Sequence, residues 1–179
     1  MRLLMHMCCA PCSAYPADVL RGEGIDLQGF FYNPNIHPID EYARRRETVE
    51  EFSELTGMAV HYIDGFMQDK WEGYKGTGEQ RCAMCYGIRM DRAAEFAKAN
   101  GFDAFTTSLL VSPYQKHDII RQFGEESALR HGVEFYYKDF RPGFRQGQQR
   151  AKEMGLYRQK FCGCIVSFNE RESAQQKKR

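Results

Sequence analysis

Short apolar runs alternate with longer stretches of amphipathic, helical spacing along this chain, and the alternation starts at once. Extended runs are predicted at residues 3–5, 25–32, 60–63, 104–107 and 133–137. Helical stretches are predicted from behind the first run to residue 21, then at 41–55, 66–73, 84–99 and 115–130. Five β-type runs separated by helices read as an α/β fold, a Rossmann-like, mostly parallel sheet of about five strands with helices on both faces. Helix stops are expected at Gly22 and Gly24, at Gly57 and at Asn100-Gly101, where the left-handed cap is accessible to Gly or Asn. The pattern makes one α/β domain of residues 1–170 and leaves 171–179 as a polar, basic, frayed tail.

In open parallel sheets ligands sit beyond the carboxyl ends of the strands. Cys8-Cys9 follows the first run, Asn33-Pro34-Asn35 the second and the segment 108–114 the fourth, so three unusual loops are expected on one edge.

Composition narrows the chemistry. The 179 residues carry 25 Lys plus Arg against 24 Asp plus Glu, so polyanions must be met by a local patch and not by a global field. No apolar run of about 18 or more residues and no signal-type N-terminus is present, which predicts a cytoplasmic protein without a membrane partner. Seven cysteines in a reducing compartment point to metal binding or redox chemistry.

The cysteines fall into groups. Cys8 and Cys9 would face opposite ways in a strand, so the chain must turn there for both to reach one centre, and Pro11 supports that turn. The same proline predicts a helix starting only near Cys12 or Ser13, with Ser13 as its N-cap. Cys82 and Cys85, at i and i+3, share one face of a helical turn. These four thiolates suffice to close either a zinc site or a 4Fe-4S cluster, and spacing does not choose between them. Cys162 and Cys164 flank Gly163; a bond closing so small a ring would be strained and easily reduced, which suits a cycling dithiol, although the pair can equally ligate metal. Cys12 is left as a further ligand, a resolving thiol or a packing residue.

Taken in order, HMCCAPCS, FFYNPNIHPIDEYARR, RCAMCYGIRMDRAAEFA, FTTSLLVSPYQKHDII, KDFRPGF and YRQKFCGCIVS resemble the epoxyqueuosine reductase QueH family from Leu3 to about Ser167. The resemblance implies reduction of epoxyqueuosine to queuosine at the wobble position of tRNAs with GUN anticodons, those for tyrosine, histidine, aspartate and asparagine. It implies a 4Fe-4S cluster on Cys8, Cys9, Cys82 and Cys85, a redox-active Cys162/Cys164 pair, and no cobalamin. The implied fold is a nucleotide-binding hydrolase-type (HUP) domain without ATP chemistry, and the sequence has no phosphate-binding loop of the GxxxxGK[ST] type. Cys12 receives no role from it.

Epoxide removal needs two electrons, two protons and stabilisation of the departing oxygen. Four thiolates leave a cluster no vacancy, so an additional iron is a candidate Lewis acid, with Cys12, Asp40 and Asp139 as candidate ligands. Electrons are expected from a donor such as ferredoxin, and protons from the dithiol, His37 or Tyr114. Between residues 138 and 160, Arg141, Arg145, Arg150, Lys152 and Arg158 form the candidate tRNA grip with Lys138 and Lys160, opposed only by Asp139 and Glu153. Phe140, Phe144, Tyr157 and Phe161 are candidate stacking surfaces, and Arg44-Arg45-Arg46 a weaker second basic patch. Two rival readings use the same residues: a zinc-stabilised RNA-binding module, and a Cys-Gly-Cys thiol oxidoreductase.

Overall fold

A computed structural model of the chain describes residues 1–177. Five strands, β1 (Arg2–His6), β2 (Asp26–Phe31), β3 (Val60–Tyr62), β4 (Ala104–Thr107) and β5 (Glu134–Phe135), form one sheet in the order β3-β2-β1-β4-β5. Every pairing is parallel; Leu3 lies between Leu27 and Ala104, and His6 between Phe30 and Thr107. Leu3, Leu4 and Met5 are wholly buried, as strands covered on both faces require.

The helices are α1 (Ala10–Gly22), α2 (Ile39–Thr56), α3 (Gln68–Glu72), α4 (Gly78–Ala99), α5 (His117–His131), α6 (Phe144–Glu153) and α7 (Ile165–Gln176). The chain winds outward through β2 and β3, then returns past β1 to β4 and β5. Right-handed crossovers therefore put α1 and α2 on one face and α4 and α5 on the other, each pair in mutual contact. The reversal falls between β1 and β4, where the carboxyl ends of the strands open a crevice.

The expected stops hold: α2 ends on Gly57 in the left-handed conformation, and Gly24 and Gly101 take positive φ behind α1 and α4. Three expectations are corrected. Helix α1 begins at Ala10 with Cys9 as its N-cap, because proline in a first turn forfeits only an N–H that has no helical partner; Ser13 lies inside the helix and its Oγ donates to the Cys9 carbonyl at 2.8 Å. Helix α4 begins six residues earlier than its apolar pattern, at Gly78, under a capping box between Thr77 and Gln80. The segment from Arg171, expected to fray, continues α7 to Gln176, because Ile165, Val166 and Phe168 pack that helix on Trp71; Lys178 and Arg179 of the expected tail lie outside the described residues. Helix α6 was not expected either. It sits against α1 where Gly143 meets Tyr15: a Cβ at Gly143 would fall 2.1 Å from the tyrosine ring.

Candidate functional site

The crevice is built from its floor upward. His6, at the end of β1, ties three strand ends together: Nε2 donates toward Tyr32 O and Asn33 Oδ1, each at 3.2 Å, and Nδ1 accepts from Thr107 Oγ1 at 2.9 Å. Asn33 donates in turn to Met7 O at 2.8 Å. Burial, then the nearby Arg89 charge, push the His6 imidazole down to about 4, so it is neutral. Above this floor the chain leaves β1 and turns, with Cys9 fully extended (φ −172°) before α1.

That turn brings the Sγ atoms of Cys8, Cys9 and Cys12 within 4.8 Å of one another, all three buried. Cys8 and Cys9 Sγ lie 3.7 Å apart, and Ser108 accepts from the Cys8 N–H at 3.2 Å while its hydroxyl points at Cys8 Sγ at 3.6 Å. Hydrogen bonds from Cys12 and Cys9 hold Cys8 well below the usual thiol range; burial pushes Cys9 up, and Cys12 is pushed up by its bond to Cys8. Cys12, assigned no role by spacing or resemblance, is thus a full member of the cluster.

Across the crevice the first turns of α4 present Cys82 and Cys85. Burial raises both, Cys85 to about 11. Arg89, one turn further along, donates from Nε to Cys85 O at 3.1 Å and from Nη2 to Cys85 Sγ at 3.2 Å, and lies over the Tyr86 ring at 5.6 Å.

The third group sits on the loop before α7. Cys162 and Cys164 are free thiols with Sγ atoms 3.8 Å apart, and Gly163 between them has φ +126°. A Cβ at Gly163 would stand 3.1 Å from Arg45 Nη1, so both its conformation and its surroundings demand glycine. Arg45 itself is buried. It donates to the carbonyls of Phe161 (2.9 Å) and Cys162 (3.2 Å) and pairs with Glu41 at 2.7 Å. A hydrogen bond from Cys164 is the largest cause bringing Cys162 down to about 5; Cys164 is pushed far up and stays a thiol.

The three groups open onto one cavity of about 380 Å³, lined by Cys8, Cys12, Cys82, Cys85, Cys162 and Cys164, with Cys9 just behind. Asn35, Gln148 and Gln159 give it amides, Trp71, Tyr86, Phe144 and Phe161 aromatic walls, and Arg81, Arg89 and Lys160 positive charge.

Several expected participants stand elsewhere. Asp40 is exposed in the first turn of α2, and Asp139 is bound by Arg141, which holds it down at about 2; neither lines the cavity. Of the basic candidates, Arg141 is occupied by Asp139 and Arg150 by Asp18, while Arg145, Lys152 and Arg158 are exposed; none of the five lines the cavity. Arg45 is no surface cation. Phe140 is fully buried and Tyr157 donates to Glu41 under Arg44, so neither is a free stacking face. His37 is wholly buried with both ring nitrogens engaged: Nδ1 accepts from Ile165 N–H at 3.1 Å, and Nε2 donates to Pro34 O at 2.9 Å. Burial lowers its pKa, and the ring does not line the cavity. Tyr114 is 82% exposed at the cavity rim, edge-on to Phe144. Sequence reasoning missed Arg89 and Trp71, reached Ser108 only as the start of a candidate loop, and took Arg45 for part of a surface basic patch; the spacing of Cys82, Cys85 and Arg89 (i, i+3, i+7) was the one available signal for Arg89.

Residues 3–170 match the family described as epoxyqueuosine reductase QueH. Proteins of that name from Thermotoga maritima, Dehalococcoides mccartyi and Acinetobacter baylyi are 36%, 33% and 37% identical. The alignments cover 94%, 95% and 94% of this chain and 91%, 94% and 81% of those proteins. Among solved structures, the U34-tRNA thiolase NcsA of Methanococcus maripaludis, with its 4Fe-4S cluster, superposes with a TM-score of 0.63 at 15% identity, over 93% of this chain and 61% of that one. The predicted tRNA methyltransferase subunit of Methanocaldococcus jannaschii gives 0.52 at 13% identity, over 84% and 75%. At such identities these likenesses show the fold alone.

Proposed function

The chain belongs to the epoxyqueuosine reductase QueH family, and from that membership we propose that it removes the epoxide oxygen of epoxyqueuosine in tRNA to give queuosine. It is an oxidoreductase of tRNA modification. The observation that carries the reading is the convergence of six cysteines, from three segments far apart in sequence, on one cavity.

The donor set fits an iron-sulfur cluster: soft thiols face one another across the crevice beside a buried cation. We assign the 4Fe-4S cluster to Cys8, Cys9, Cys82 and Cys85, with Cys12 as the adjoining thiol for an additional iron; Asp40 and Asp139 are withdrawn from that role. When bound, these metals supply single electrons and a Lewis acid for the departing oxygen. The Cys162/Cys164 pair is assigned as the dithiol. Its closure to a disulfide releases two electrons and, with Cys162 as the thiolate, the one proton on Cys164; conversion of the epoxide to an alkene and water takes those two electrons, that proton and a second proton from solvent. The Cys164 thiol, held protonated, delivers a proton from Sγ, and the Cys162 Sγ, 3.8 Å away, is placed to form the S–S bond as the pair gives up its two electrons to the epoxide reduction.

Arg81 and Lys160 would meet backbone phosphates, and Phe144 and Tyr114 offer faces for an unstacked base, whereas the Phe161 ring is flanked by Arg45 and Phe168. Trp71 closes the apolar wall. GUN-anticodon tRNAs, a ferredoxin-type donor and a cytoplasmic location complete the proposal; among the described residues no helix is long and apolar enough to cross a membrane.

The test is anaerobic incubation of reduced protein with epoxyqueuosine-containing tRNA, followed by nucleoside mass spectrometry. Loss of one oxygen is expected, and replacement of any of the six paired cysteines by serine should abolish it. Colourless protein holding stoichiometric zinc, or turnover that survives replacement of Cys82 and Cys85, would refute the assignment.

A further inference from the structure

Among the described residues two arginines are buried, and their surroundings differ. Arg45, 2% exposed, has a carboxylate partner in Glu41. Arg89, 3% exposed, has none: among the described residues no Asp or Glu reaches ion-pair distance of it, and its polar contacts are the carbonyl and the Sγ of Cys85. An arginine does not shed its proton in a protein, and a buried charge without a counter-charge is strongly disfavoured. The chain therefore places a permanent positive charge where only sulfur is available to balance it. Within the protein the groups that face the guanidinium are Cys85 and the Tyr86 ring. The helix makes the placement deliberate in geometric terms: Cys82, Cys85 and Arg89 at i, i+3 and i+7 lie on the single face of α4 turned to the cavity.

We infer that Arg89 is the counter-ion of the thiolate centre and sets its reduction potential, through its charge and its hydrogen bond to Cys85 Sγ. The inference rests on the assignment of Cys85 as a cluster ligand. One-electron reduction of a four-thiolate cluster breaks no bond and adds one negative charge, so a fixed cation at 3.2 Å from a ligand sulfur stabilises the reduced form more than the oxidised one. Arg89 is thus assigned as a positioning and electrostatic residue that acts through the Cys85 sulfur.

The experiment is an anaerobic dithionite titration of the cluster-loaded full chain followed by electron paramagnetic resonance, with iron and acid-labile sulfide measured in each sample. For Arg89→Gln the cluster should be at least about tenfold harder to reduce, a shift of about 59 mV to more negative potential for one electron. Arg89→Lys, which keeps the charge, should stay close to the parent. An unchanged midpoint in fully loaded R89Q overturns the inference, as does an R89K shift as large as that of R89Q, which would make the guanidinium a packing group. If R89Q takes up no iron, loading of R89K at the parent level supports the charge requirement, and failure of both overturns it. A parent protein that gives no reduced-cluster signal defeats the cluster assignment itself, whatever the variants do.

Discussion

Arg45 shows how one side chain can organise a reactive loop. Its three donor atoms reach Glu41 and the carbonyls of Phe161 and Cys162, and its guanidinium plane covers the Phe161 ring at 5.3 Å. Removing it strands a carboxylate and two carbonyls in a dry environment. Arg45→Met should lower unfolding free energy by about 3 kcal/mol in urea titrations. Turnover should fall about tenfold to a hundredfold with iron content unchanged, because the Cys162/Cys164 pair loses its fixed approach. A variant with parental turnover would show that the loop holds itself. At this scale the sequence was partly legible. The paired cysteines announced themselves by spacing, whereas Arg45 read as one of three adjacent surface cations and Cys12 as a spare thiol. Neither role exists until α2 faces the 161–163 loop and α1 starts at Ala10.

Among the elements, α4 matters most, since its first turns carry Cys82 and Cys85. The apolar pattern places its start near Met84, but Thr77 extends it: Thr77 Oγ1 accepts from Gln80 N–H at 3.2 Å, and Gln80 Oε1 accepts from Thr77 N–H at 2.9 Å. The cap satisfies two of the four orphan N–H groups and keeps the CxxC turn helical. Thr77→Ala should cost about 1 kcal/mol of stability. Hydrogen exchange should quicken at the amides around Gln80, with the far end of α4 unaffected; uniform exchange along the helix would mean that tertiary packing alone holds the turn. The capping signature was present in the sequence. It was overshadowed because the first turn of α4 is polar and exposed, so periodicity carried no signal there. Helix α6 was illegible for a related reason: it is short and polar, and it buries only Gly147 and Ala151 against α1.

At the scale of the whole molecule, histidines that folding wholly or partly removes from water make stability depend on pH. His37, His61 and His117 are all held below the ordinary imidazole value, in each case first by burial. The unfolded chain therefore binds protons before the folded one does. Stability is fully present above about pH 6.5 and is lost as pH falls toward the depressed folded values, with a slope of at most about 1.4 kcal/mol per pH unit for each histidine. Urea unfolding between about pH 7.5 and 5.5 should show this decline, and a gain in stability on acidification would contradict it. The sequence by itself determined the five-strand α/β alternation, the helix stops, the three cysteine groups and the place of Cys8-Cys9 behind the first strand, because hydrophobic period and local spacing are properties of neighbouring residues. Only the tertiary structure decided that Cys12 joins Cys8 and Cys9, that Asp40 and Asp139 stand apart, that His37 is buried beneath the 163–165 loop with its ring nitrogens engaged, and that Arg89 faces sulfur without a carboxylate. Those facts depend on which distant segments the sheet order brings to one crevice, and on which charges burial leaves without a partner.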